Sequence, residues 1–358
     1  MKKIVSFAVL VALTATVADA APSHLKRTKD GGYQVTYDYT QKEKTGWYVG
    51  GRAELSLLNW ENKYYLDVAD SGSDKYSFEK YADPQALLPK LLKNEIDIGF
   101  LPLNVAAKVY NSTNKQIVCL AVSGNGNLCI ISKNSRVKKL SDLKGKSVFI
   151  AGRGATPEYI FKYILKKNNV SYSDEETNSS KVYLDYSIQT ANLVPSLISR
   201  KIEFALVPEP FSTIAKVKDK TVKKVIDIQQ EFEDITIKDN TFPLTVIVAT
   251  SDFINKTLEL AEEENQIDIG KELVSKFLED YEDSYNWTIS NSVKAGKLFE
   301  KHNMGLASGI VTASIPNANY VFIKAKDAKK SCEDLLTIFL QNDEKSIGGK
   351  LPDSDFYY

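Results

Sequence analysis

The sequence predicts an α/β protein with a parallel sheet covered by helices on both faces. The first observation is a regular alternation in the middle of the chain. Short apolar runs at 148–151, 182–186, 203–207 and 224–228 read as buried strands, and amphipathic segments at 157–167, 190–199 and 211–217 read as the helices between them. The second is a turn of glycines set between the first of these strands and its helix. Gly152, Arg153 and Gly154 turn the chain, Thr156 stands at an N-cap position, Pro157 at the first helical position and Glu158 in the first turn. The third is length. At 358 residues, 43% hydrophobic and 26% charged, the chain has room for two domains or one domain with two lobes.

In chain order, Lys2 and Lys3 precede an apolar stretch over 4–17 and the small-x-small triplet Ala18-Asp19-Ala20. This pattern predicts a secretory leader over 1–20, cleaved after Ala20, and export of a mature chain. No later segment is apolar for long enough to span a bilayer as a helix. Residues 21–62 have a different style. Tyr33, Val35, Tyr37 and Tyr39 alternate with polar residues, and a looser alternation runs over 47–60, so 33–60 reads as an aromatic β-hairpin. Its string GWYVGGRAELSLLNW resembles the first strands of an outer-membrane β-barrel. One hairpin cannot close a barrel, and the segment is taken as an appendage.

From about residue 70 the globular pattern begins. Asp83-Pro84 opens a helix with Leu87, Leu88, Leu91 and Leu92 on its face and Pro89 inside it, where a kink or early stop is expected. A strand over 96–101 leads through Pro102, Leu103 and Asn104, with Asn104 as N-cap, into a helix over 105–110. Strands follow at 117–122 and 128–132, separated by SGNGN at 123–127, and a further strand falls at 245–249. The remainder is predicted helical, at 251–264, 270–290, 292–302, 306–314 and 327–341, with Tyr281 and Trp287 as packing residues.

Several function classes lose support on composition. Lys+Arg and Asp+Glu balance at 46 each, so no global charge points to nucleic acid. Two histidines and three cysteines are too few for a familiar metal cluster, and no metal or cofactor is expected. GRGAT is neither a dinucleotide fingerprint nor a phosphate loop. Cys119, Cys129 and Cys332 read as buried free thiols in preference to a bridge. In parallel sheets ligands sit beyond the carboxyl ends of the strands, here the loops 102–104, 152–156 and 208–210. The N–H groups that open the helix at 156 favour an anion or polar head there, or the loop is an ordinary strand-to-helix turn.

Taken together, LKNEIDIGFLPLNVAAKVYN, LSDLKGKSVFIAGRGATPEYIFKYILKKN, FALVPEPF and KSIGGKLPDSDFYY resemble the solute-binding proteins of nitrate/sulfonate/taurine-type ABC importers, over roughly residues 67–358. The resemblance implies the two-lobed type II periplasmic-binding fold. One lobe would hold 63–126 and 246–358, the other 127–245, with the crossover segments at 123–132 and 242–249. It further implies a periplasmic, monomeric, non-enzymatic protein that passes a small polar or anionic organic solute to a membrane permease driven by an ATPase. The family's site carries over to Pro102, Leu103 and Asn104 in one lobe, to Gly152, Arg153, Gly154, Ala155 and Thr156 in the other, to Asn125 in the hinge, and to the proline-flanked Glu209. Two of these keep alternatives. Glu209 accepts a ligand donor or caps its own turn, and Arg153 pairs with an acidic ligand or is a solvated loop charge. The family also opens with a strand and a glycine loop that is not found here. Either residues 53–58 take its place or the site lacks that part. Two other readings stand beside transport: an enzyme of this fold acting on a pyrimidine- or chorismate-like substrate, and an envelope interaction protein with an impaired site. Against the enzyme, no cysteine or histidine falls in the cleft loops.

Overall fold

The computed structural model describes residues 13–16, 22–27, 33–37, 77–80, 84–150, 153–154, 156–175, 178–236, 242–256, 258–259, 266–267, 269–301 and 306–358; for 13–80, 84–86, 258–269 and 272 the backbone alone is described. The strands are β1 (Leu13–Thr16), β2 (Pro22–Arg27), β3 (Tyr33–Tyr37), β4 (Ser77–Lys80), β5 (Ile98–Pro102), β6 (Ile117–Asn125), β7 (Leu128–Ser132), β8 (Ser147–Ile150), β9 (Tyr172–Ser173), β10 (Val182–Asp185), β11 (Phe204–Pro208), β12 (Lys223–Asp227), β13 (Pro243–Thr250), β14 (Leu258–Glu259), β15 (Gln266–Ile267) and β16 (Tyr320–Lys324). The helices are α1 (Pro84–Leu92), α2 (Leu103–Ser112), α3 (Thr156–Lys167), α4 (Thr190–Ile198), α5 (Phe211–Lys218), α6 (Ile228–Ile235), α7 (Ser251–Ile254), α8 (Ile269–Ser290), α9 (Ser292–Lys301), α10 (Ser308–Ser314) and α11 (Ala325–Asn342).

Two six-stranded sheets organise these elements, in the orders β16-β6-β13-β5-β1-β4 and β12-β7-β11-β8-β10-β9. The central strands β5, β7, β11 and β13 are buried at every position. Their sequences are correspondingly unbroken apolar runs, because helices cover both faces of each sheet. The chain passes from the first sheet to the second at Gly126–Asn127 and returns between α6 and β13. The two passages lie side by side, with the Gly126 N–H donating to Phe242 O at 2.9 Å.

The second sheet is not wholly parallel as expected. β8 pairs parallel with β10 and β11, and β9 with β10, but β7 runs antiparallel to both β11 and β12. β7 enters from the other sheet and not through a helix crossover, so nothing forces it into the parallel direction. Other expectations also change. The helix expected over 251–264 stops at Ile254, and Leu258–Glu259 pairs instead with Gln266–Ile267. α6 and β16 had no counterpart in the sequence reading. The aromatic strand at Tyr33–Tyr37 pairs with Pro22–Arg27; the expected partner at 47–60 lies outside the described residues. Leu13–Thr16, inside the expected leader, pairs antiparallel with both β4 and β5; the expected cleavage site at 18–20 lies outside the described residues. α1 keeps Pro89 within its nine residues and ends three positions later.

The core has three parts. One lies between the sheets and the helices α1, α2, α3, α6 and α11, and it is continuous from the first half of the molecule to the second. A second packs α8, α9 and α10 on the outer face of the first sheet, around fully buried Tyr281 with Trp287 at its margin. The third packs α4 and α5 on the second sheet. All three cysteines are free and buried, as the sequence suggested.

The C-terminal tail is fastened to the first sheet. Tyr358 N–H donates to Cys119 O at 2.9 Å, Phe356 is fully buried, and Lys115 bridges Asp353 at 2.8 Å and Asp355 at 2.7 Å. Tyr110 Oη donates to Asp353. Lys115 and then Tyr110 hold the Asp353 carboxyl down at about 2, while burial and then Asp353 push the Tyr110 phenol up to about 12. The depressed carboxyl adds stability above its free value of about 4, and that share is lost as pH falls through about 2. The raised phenol adds stability below about 10, lost as pH rises through about 12. The tail is therefore expected to loosen at both extremes. The NMR resonance of the Tyr358 amide is the probe; one unchanged from about pH 7 to about pH 2 overturns the coupling.

Candidate functional site

Three strands deliver their carboxyl ends onto helix starts, β5 onto α2, β8 towards α3 and β11 onto α5. At the first, helix α2 begins at Leu103 with Pro102 as its cap. Asn104 is therefore inside the first turn and is not the N-cap. Its side chain faces the other sheet, where Oδ1 accepts from Thr156 Oγ1 at 3.0 Å and Nδ2 donates to Gly154 O at 3.4 Å. Asn104 is 2% exposed and Thr156 fully buried, so the bond between them is sheltered from water. Thr156 is the first residue of α3, and its hydroxyl is committed across the molecule. Gly152 and Ala155 lie outside the described residues.

The helix start at 156 holds an anion of its own. The Glu158 carboxylate accepts from the Gly154 N–H at 2.5 Å and from Lys162 Nζ at 2.7 Å. It is buried, 6% exposed. Burial alone would lower the Lys162 ammonium, but Glu158 and then Asp174 outweigh it and hold it above its ordinary value. A carboxylate thus sits in the turn just ahead of the helix start at which the sequence suggested a ligand anion. Arg153 is mostly exposed, lies over the Tyr186 ring at 4.5 Å and pairs with Asp174 at 3.7 Å. Its charge is engaged within its own half of the molecule. Burial, then the nearby Glu158, raises the Tyr186 phenol well above its usual range.

The two halves of the molecule also meet away from Asn104. Tyr159 Oη donates to Asp343 Oδ2 at 2.9 Å and its ring lies 5.3 Å from that of Phe339. Leu306 and Ile310 pack onto the core of the second sheet. Asn104→Ala removes both bonds to the second sheet and leaves the buried Thr156 hydroxyl without an acceptor. The expected loss is about 1–3 kcal/mol in chemical unfolding; a variant indistinguishable from the parent would remove the contact from any role in holding the halves together.

Glu209 and Asn125 belong to a different place. Glu209 accepts from Ser212 Oγ and, at 3.2 Å, from the Thr213 N–H, so it caps its own helix. Asn125 ends β6, with its N–H donating to Asn319 O at 3.1 Å. Beside them, where the chain crosses between sheets, lies a cavity of about 210 Å3. Asn127, Glu209, Lys216, Lys224, Gln229 and Asn319 are among its walls, and Pro102, Leu103, Asn104 and Thr156 are not. Lys224 pairs with Asp227 at 2.6 Å; burial works against its ammonium, but Asp227 more than offsets this. Cys129 also borders the cavity, and burial, then the charge of Glu209, pushes its thiol up to about 12, so it is not a thiolate near neutral pH. No group of metal-ligating side chains occurs among the described residues. The sequence-derived set therefore divides, one part joined directly across the halves and the other beside the crossing. Sequence reading missed Lys216, Lys224 and Gln229. The last lies on the unforeseen helix α6, and lysines on exposed-looking helix and strand ends carry no local signal.

No family model matches the chain, and no curated protein matches it. Solved structures do. One, described as an ABC transporter from Parabacteroides distasonis, is 21% identical, covers 86% of this chain and 95% of its own, and superposes with a TM-score of 0.64. The periplasmic aliphatic sulphonate binding protein SsuA from Escherichia coli is 14% identical, with 84% and 90% covered and a TM-score of 0.57. The periplasmic nitrate-binding protein NrtA from Synechocystis PCC 6803 is 13% identical, with 85% and 84% covered and a TM-score of 0.57. At this identity the likeness is one of fold, and the fold is the two-lobed periplasmic-binding architecture that the sequence resemblance implied.

Proposed function

We propose that this two-lobed chain is the solute-binding component of an ATP-driven importer, acting as a periplasmic monomer that hands a small polar organic molecule to a membrane permease. The observation that carries this reading is the polar cavity at the crossing, walled by residues of both halves. A solute seated there touches both lobes at the point about which they would hinge. The fold shared with nitrate- and sulphonate-binding proteins supports the same reading. In this reading the lobes divide at Gly126–Asn127 and again ahead of Pro243, where the chain passes between the two sheets. The enzyme reading gains no support from the cavity, where the one thiol is held protonated and no histidine is among the walls.

Native mass spectrometry of the exported protein, gently purified, tests the proposal. A folded ion series that gains one small mass, from its source or from added solute, is expected. A folded protein that takes up no solute from a broad metabolite mixture would overturn it.

A further inference from the structure

We infer that the solute is a small, overall neutral molecule bearing N–H donors, an amino-acid-like zwitterion, held in the crossing cavity and not a donor-free oxyanion held at the start of α3. This rests on the solute-binding reading and narrows it.

The first support is what occupies the start of α3. The Gly154 N–H already donates to the Glu158 carboxylate, and both ends of the Asn104 amide are engaged by Thr156 and Gly154. An incoming oxyanion would meet a resident carboxylate in the turn ahead of the helix.

The second is the polarity of the cavity wall. Asn127 Nδ2 donates to Ala318 O at 3.0 Å and Gln229 Nε2 to Glu233 Oε1 at 2.8 Å. These contacts fix which end of each amide is which. They leave Asn127 Oδ1 and Gln229 Oε1 buried with no hydrogen-bond partner. Buried amide oxygens are ordinarily paired, so two orphans in one cavity wall call for donors from a guest. Glu209, with lone pairs left after its two capping bonds, is a further acceptor.

The third is charge. Glu209 and Asp227 balance Lys216 and Lys224 around the cavity, and Lys216 forms no ion pair among the described residues. A guest of zero net charge preserves that balance. Its ammonium or amide N–H groups answer Glu209, Asn127 and Gln229, and its anionic end answers Lys216. The volume of about 210 Å3 is below the roughly 300–1,000 Å3 typical of drug-sized sites, which sets the guest's small size.

Matched probes test the inference on the full exported protein by isothermal titration. The donor-bearing set is the common L-amino acids, β-alanine and taurine; the donor-free set is propionate, ethanesulfonate and nitrate. At least one donor-bearing probe is expected to bind, with its donor-free counterparts roughly tenfold weaker or worse. Gln229→Leu and Lys216→Ala are expected to weaken that probe by a similar factor; thermal unfolding confirms that each variant folds. Tight binding of nitrate or ethanesulfonate overturns the inference and leaves the solute-binding reading standing. A protein that binds neither set here, yet takes up a solute in the mass-spectrometry experiment, likewise overturns the inference alone. One that binds nothing in either experiment overturns both.

Discussion

Alanine at Gly126 costs the protein about 3 kcal/mol, seen as a lower urea midpoint at unchanged slope. The reason is local. A Cβ at this position would stand 2.5 Å from Phe242 Cε1 and closer still to Phe242 Cζ and Gln229 Oε1. Neither neighbour is a loose end. Phe242 is 1% exposed and packs edge-on against Phe232 with ring centres 5.0 Å apart. Gln229 is anchored through its amide to Glu233. Backbone bonds hold the glycine itself, its N–H to Phe242 O and its carbonyl from Asn319 Nδ2 at 2.8 Å. Both passages between the sheets would have to part. Gln229 would be displaced from the cavity wall, so solute binding falls with stability. A Gly126→Ala protein within about 0.5 kcal/mol of the parent, the range of ordinary surface substitutions, would sink the packing argument.

Much of the architecture was legible because burial on both faces leaves a strand no polar positions. FALVP, buried at every position, could hardly be anything else. What was not legible depended on partners distant in sequence. β7 looks like any parallel strand, yet its direction follows from entering through the crossing. Tyr320–Lys324 reads as a linker between helices until β6 offers it an edge. The site was legible as positions but not as contacts. Loops 102–104 and 152–156 were legible as loops at strand ends, and Asn104 meets Thr156 between them. That Asn104 would bond Thr156 directly requires knowing how the two sheets approach each other, which no local pattern encodes. Glu158 was readable as a helix-start acid, but not as the resident of the anion position. The crossing cavity assembles residues from 126 to 319, and only SGNGN and Glu209 gave any sign of it.

Removing Glu158 is expected to have two effects of opposite sense. Glu158→Ala deletes one member of a sheltered ion pair. Full burial would make the loss about 3–5 kcal/mol. Lys162 retains Asp174 at 3.4 Å and is 21% exposed, so about 2 kcal/mol is expected here. The same change uncovers the Gly154 N–H and the unpaired opening of α3, beside a lysine that has lost its nearest anion. Added sulfate should then stabilise the variant beyond its effect on the parent, because it takes the vacated position at a positive helix end. Comparing sulfate with chloride at equal ionic strength in both proteins cancels the general salting effect, which acts on each alike. Glu158→Gln keeps an oxygen for the Gly154 N–H and loses only the charge, so it should be milder in both respects. If sulfate raises the unfolding midpoint of parent and Glu158→Ala equally, Glu158 is a packing residue with a salt bridge and not a built-in occupant of the anion position. A differential gain would mean that the chain's own carboxylate excludes external anions from the start of α3.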